Sequence, residues 1–206
     1  MHICKNANRI GGFLEDDRIK WNLRYQSDGF YLGENTSPFL AREIARIKQL
    51  APGATALDIA CGEGRNSIFL AHHGFSVTGL DISDVGLAKA AARAAMEGVE
   101  VDFRRVDLEQ HEIIERYDLI LNFNFLLREL IPKELMALNP GGLLLFDTIM
   151  ESPQLLANHK PSYLLRHGEL VRLFENRAGN ILFSEECHSG EMPTARLLFQ
   201  KSLKDS

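Results

Sequence analysis

The stretch Leu57-Asp58-Ile59-Ala60-Cys61-Gly62-Glu63-Gly64-Arg65-Asn66-Ser67 reads as a buried strand that carries an acid, breaks into a two-glycine turn and opens a helix. Gly62 and Gly64 let backbone come close to a ligand, because a Cβ there would take up its place. Glycines at strand-to-helix turns also serve packing alone. The turn lies at the carboxyl end of its strand, where open α/β sheets bind ligands. Outward from it, Pro52-Gly53 is a turn and 55–60 the strand, and the helix that follows ends at His72-His73-Gly74. Strand 75–80, alanine-rich helix 85–96 and strand 99–106 come next. Strand 117–123 leads to a helix over 126–138, closed by Asn139-Pro140-Gly141-Gly142, and then to apolar strand 143–148. Strands that are continuous apolar runs between helices imply a doubly wound, mostly parallel sheet with helices on both faces. Beyond Met150 a short helix over 169–174 precedes strand-like runs 181–187 and 194–201. With Gly190 and no helix between them, these form a C-terminal antiparallel hairpin.

Residues 1–50 divide from the alternating region, 51–206. The chain up to about Arg18 reads as a loosely ordered arm with little apolar pattern. Residues 19–50 hold two helices around an irregular, aromatic middle with Trp21, Tyr25, Phe30, Tyr31 and Phe39. Pro38 opens the second helix, which carries Leu40, Ile44 and Ile47 on one face. The alternating sheet does not need these rings for its core. The sequence therefore predicts a lid over 19–39, lined by Trp21, Tyr25 and Tyr31 and jointed at Gly29, Gly33 and Ser37. The plainer alternative is that the rings pack the first helix onto the domain.

The chain has 206 residues, 45% hydrophobic and 25% charged, a size for one domain with a full core. A net charge of −5 with interspersed signs and no basic block argues against nucleic acid as a partner. No apolar run reaches the roughly 20 residues of a membrane span, and the start has no signal-peptide pattern. Cys4, Cys61 and Cys187 stand far apart with no metal-ligand or redox spacing. The expectation is a cytoplasmic protein of open oligomeric state, without a metal or membrane partner.

Asp58 is a discriminator inside the decisive stretch. A carboxylate there repels a pyrophosphate and attracts an ammonium. Ser67 stands where a dinucleotide turn has its third glycine, and its side chain is expected to hinder the tight helix–strand approach. Both disfavour a nicotinamide-dependent enzyme. Asp81 ends the second strand, and its two oxygens suit a pair of ribose hydroxyls. Ser83 can cap the next helix in its place. Asp107 and Leu108 follow the third strand, with a solvated loop as the alternative. Asn122-Phe123-Asn124-Phe125 sets amides and rings at the fourth strand end. Tyr25, Tyr31, Arg128, Glu185, Glu186 and His188 are candidates for direct chemistry. Arg128 stands first as a holder of an anionic substrate, with Tyr25 beside it. Cys61 sits where a small side chain suffices and reads as structural. His72 and His73 point different ways on a helix and read as a polar helix end, not a metal site.

The segment 57–67 with Asp81, Asp107, 117–122 and Pro140-Gly141-Gly142 resembles the ordered motifs of class I S-adenosylmethionine-dependent methyltransferases. Within them, 61–67, Trp21-Asn22-Leu23-Arg24-Tyr25 and His167-Gly168-Glu169-Leu170 resemble the small tellurite-resistance (TehB-like) and thiol methyltransferases. The resemblance implies a Rossmann-like, seven-stranded methyltransferase fold whose last two strands are the hairpin. It implies S-adenosylmethionine as cofactor and a small-molecule acceptor, such as a thiol or chalcogen oxyanion. By position, it puts Asp58, Gly62 and Gly64 around the methionine end, and Asp81 on the ribose with Ile82 beside the adenine. Asp107 and Leu108 then face the adenine, and Asn122 carries a carbonyl near the methionine amino group. A sulfonium already activates the methyl group, so no obligatory triad is expected. A non-catalytic module that binds the same cofactor is the competing reading.

Overall fold

The computed structural model describes residues 8–188 and 192–203. Cys4 and Gly190 lie outside them. The strands β1 (Thr55–Ile59), β2 (Ser76–Asp81), β3 (Asp102–Arg105), β4 (Tyr117–Phe123), β5 (Leu138–Ile149), β6 (Gly179–Cys187) and β7 (Thr194–Lys201) build one seven-stranded sheet. Their order is β3-β2-β1-β4-β5-β7-β6, with β1 to β5 parallel. The hairpin is antiparallel as read from sequence, and β7 inserts between β5 and β6.

Every residue of β4 is buried, as the apolar run requires of a strand covered on both sides. Leu57, Ile59, Ile120, Leu144 and Phe146 pack on one face, with Phe174 of α7 (Glu169–Phe174). Ala56, Leu119, Leu121, Leu143 and Leu145 pack on the other, under Phe39, Leu40 and Ile47 of α2 (Pro38–Leu50). The Ser37 hydroxyl caps α2 by accepting from the Phe39 amide, and Pro38 loses nothing in its first turn.

Four boundaries differ most from the sequence reading. The chain is helical from Asn8, so α1 (Asn8–Tyr25) begins within the stretch read as a loose arm. Contact with α4 (Asp84–Glu97) holds α1: Ser83 donates to Asn22, and Arg18 pairs with Asp84. Tertiary contact supplies what the weak apolar pattern does not. β3 starts late, because the Val99 amide still bonds the Ala94 carbonyl as the chain leaves α4. The long helix expected after β4 is a single tight turn, Arg128–Leu130, followed by α5 (Ile131–Ala137). Pro132 has no amide for a bond back to residue 128, so the α-helix starts beside it. β5 takes in the Asn139-Pro140-Gly141-Gly142 segment as an irregularity, pairing first Tyr117 with Leu138 and then Leu119 with Leu143.

Candidate active site

The ends of β3, β2, β1 and β4 form one edge, and the register sets the sequence-predicted residues along it. Ile59 is level with Leu80 on one side and Asn122 on the other, and Asp81 is level with Arg105. Asp58 and Asp81 therefore lie on neighbouring strands. Ile82 follows Asp81, and Asp107 and the buried Leu108 follow β3.

Asp58 is buried and accepts a 2.6 Å bond from the Ser67 hydroxyl. Burial pushes its carboxyl up to about 7, against the Ser67 bond and the Arg65 charge and with help from Asp81. Asp81 is pushed up by burial too, although the Gly62 and Ser83 amides each donate to it at 2.8 Å. Its carboxylate thus fastens the glycine turn to the start of α4. Ser83 caps α4 through the Gly86 amide, as expected. Ser67 does not hinder helix–strand approach: α3 (Arg65–His72) fits because the hydroxyl is bonded to Asp58.

For the two glycines the structure shows a packing reason. Gly62 has φ +55°, and a Cβ on it would lie 2.6 Å from the Tyr25 hydroxyl. Gly64 has φ +76°, and its Cβ would meet Ala90 at 2.8 Å and Phe103 at 2.9 Å. The close approach at both is to the protein's own side chains. Ala60 also has a left-handed backbone, φ +53°, although it is not glycine, so the turn holds strain at its entrance.

Tyr25 wedges between Gly62 and Gly86, stacked on Trp21 and edge-on to Tyr31. Burial and the charges of Asp81, Cys61 and Glu63 push its phenol well above the ordinary range. The segment after it is stitched to the glycine turn. Glu63 is buried, accepts from the Tyr31 amide at 2.7 Å and pairs with Lys89 at 2.9 Å. Arg65 donates to the Leu32 and Asn35 carbonyls, and the Asn66 side chain accepts from Thr36 and the Ser37 amide. Trp21, Tyr25 and Tyr31 are thus brought together over the turn.

Asn122 faces away from Asp58, toward α5. Its amide donates to Glu134 at 2.7 Å, both side chains are fully buried, and Asn122 Oδ1 and Glu134 Oε2 have no protein partner. Burial lifts Glu134 to about 7. Asp107 folds back to accept from the Glu109 amide. Arg128 is not available to a substrate: Glu169 takes it at 2.6 and 3.0 Å, and the Ser162 and Leu164 carbonyls complete its fork. Burial raises the Cys61 thiol, in keeping with a structural role. His72 bonds Glu97, and His73 bonds the Phe69 carbonyl. Sequence reading missed Glu63, Ser67 as a partner of Asp58, and Glu134. Glu134 had one available signal, an acid on the apolar face of a short helix.

A family model described as "Tellurite resistance protein TehB" matches residues 25–191. The chain belongs to the TehB family. It is 32% identical over 123 residues to a ubiquinone biosynthesis O-methyltransferase of Pseudomonas putida, covering 55% of this chain and 53% of that protein. The chain therefore spans about half the length of the curated relatives it matches. Among solved structures, TehB from Haemophilus influenzae superposes with a TM-score of 0.68 at 23% identity, covering 81% of this chain and 64% of that one. Magnesium protoporphyrin IX methyltransferase from Synechocystis, with bound SAH, gives 0.67 at 17%, covering 92% and 99%. The fold of this TehB-family chain is the Rossmann-like methyltransferase fold read from its sequence. Among the described residues no helix is long and apolar enough to cross a membrane.

Proposed function

We propose that this chain transfers a methyl group from S-adenosylmethionine to a small soft nucleophile, a thiol or chalcogen oxyanion. One observation carries the reading. Two buried carboxyls, Asp58 and Asp81, stand at neighbouring strand ends with burial holding both toward the neutral form. A cation or a hydroxyl donor brought to them stabilises their charge, and a ligand with an ammonium and a ribose fits that pair. A nicotinamide dinucleotide does not, since its pyrophosphate would meet Asp58.

The cofactor, when bound, supplies a methyl group on a sulfonium, which an acceptor lone pair takes as the sulfur keeps the bonding electrons. Asp58 holds the ammonium end, and Asp81 the ribose hydroxyls while keeping the turn closed. Leu108 and Ile82 flank the base. The Trp21, Tyr25 and Tyr31 cluster covers the turn and excludes water from it. Names of relatives support the reaction class: the Pseudomonas putida and Synechocystis proteins are methyltransferases by name, and the family description speaks of tellurite resistance.

The test supplies S-adenosylmethionine with thiols, chalcogen oxyanions, amines and carboxylates, and measures S-adenosylhomocysteine. Turnover with a thiol or oxyanion is expected. Tight cofactor binding without turnover on any class would favour a regulatory module, and absence of binding would sink the cofactor assignment.

A further inference from the structure

At the far edge of the sheet, away from the glycine turn, two histidines converge on one carboxylate. We propose that His167, Glu186 and His188 bind a divalent ion of the zinc class. One ligand-capable atom from each lies within 4.8 Å of the other two. His167 Nδ1 pairs with Glu186 Oε2, and His188 Nε2 lies 3.6 Å from the same oxygen. The other oxygen, Oε1, accepts from the Gly168 amide at 2.6 Å. A backbone donor therefore orients the carboxylate from behind, as outer-shell partners orient metal ligands.

The local chain explains the convergence. Glu186 and His188 are two residues apart at the end of an extended strand, so they share a side while Cys187 takes the other. His167 arrives from the loop before α7, next to the glycine whose amide holds Glu186. The ligands come from two elements about 20 residues apart, which is why no metal-ligand spacing shows in the sequence. Two imidazoles and one carboxylate are a donor set suited to zinc, and they leave a coordination position open. Beside them is a cleft of about 300 Å³ lined in part by Gly168, Ser184, Glu185 and Arg196. It gives that position access to a small ligand.

β6 is four strands from β1 in the sheet order, about 19 Å at ordinary strand spacing. The ion site is thus separate from Asp58 and Asp81, and it stands or falls independently of the cofactor assignment.

The experiment titrates the purified full chain with Zn²⁺ against a chromophoric chelator, and with Co²⁺ by absorption. One equivalent of zinc is expected, with cobalt d–d bands free of a thiolate charge-transfer band. Glu186→Gln and His188→Ala should each weaken zinc binding by at least about tenfold. Cys187→Ser should leave it unchanged, and circular dichroism confirms that each variant is folded. The proposal is overturned if the parent chain takes up no stoichiometric zinc. It is equally overturned if the Glu186 and His188 variants bind like the parent, or if a thiolate band appears and is lost in Cys187→Ser.

Discussion

At Gly62 and Tyr25, one missing Cβ and one hydroxyl share a space. Gly62→Ala puts a methyl where the Tyr25 hydroxyl is, 2.6 Å away, on a backbone with φ +55°. The left-handed conformation alone costs about 1–2 kcal/mol for a residue with a Cβ. The displaced phenol adds to that, so thermal stability of the ligand-free protein should fall. Tyr25→Phe removes the nearest atom and leaves the ring carbon at 3.2 Å. The double variant should therefore recover part of the loss. If Tyr25→Phe gives no recovery in a thermal melt, the space over Gly62 is not what the Tyr25 hydroxyl needs. Asp81 carries a second residue-level consequence. Its oxygens hold the Gly62 and Ser83 amides, so Asp81→Ala should lower the melting temperature as well as cofactor affinity. The affinity loss should be about 1.5–3 kcal/mol, the worth of charge-assisted bonds to hydroxyls. Calorimetry showing unchanged affinity would remove the ribose assignment.

Among the elements, an irregular one is held by side chains from the glycine turn, α3 and α4. The segment between α1 and α2 has no strand or helix, yet Glu63, Arg65, Asn66, Lys89 and Arg93 all bond it. Asn66 is the central stitch, since its side-chain oxygen takes both Thr36 and the Ser37 amide. Asn66→Ala should leave the sheet folded while limited proteolysis cuts faster between residues 26 and 36. Equal cutting rates in parent and variant would mean that the segment is held elsewhere. This is also where sequence reading reached its limit. Alternation of apolar runs and helices made the sheet legible, because a strand covered on both faces has to be apolar throughout. The hairpin was legible from two runs with no helix between them. The place of β7 between β5 and β6 was not, as pairing order depends on contacts remote in sequence. Asp58 and Asp81 were legible as acids at strand ends. Their partners Ser67, Gly62 and Ser83, and the burial of Glu63 and Glu134, come from packing that no local pattern encodes. Arg128 misled for the same reason, because Glu169 is 41 residues away.

The whole molecule carries several buried carboxyls, and together they fix how stability and binding vary with pH. Burial pushes Asp58 and Glu134 up to about 7 and Asp147 up to about 6, with Asp81 raised as well. In the unfolded chain such groups titrate near pH 4. The folded state therefore holds protons that the unfolded state has released. The stability these groups contribute is fully present below about pH 4 and is lost as pH rises through about 6–7. The contribution of these groups to the melting temperature of the ligand-free protein should fall as pH rises from about 4 to about 7 and level off above that. Glu134→Gln keeps the shape and removes the charge, so it should flatten that fall, by on the order of 2 kcal/mol at the alkaline end. Cofactor binding works in the opposite sense. An ammonium beside Asp58 favours its charged form, so binding near neutral pH should release protons and tighten as pH rises. Calorimetry in two buffers of different ionisation enthalpy measures that release directly, and Asp58→Asn should abolish it. Zero proton release in the parent, or binding that weakens as pH rises from about 6 to about 8, would place the cation elsewhere than at Asp58.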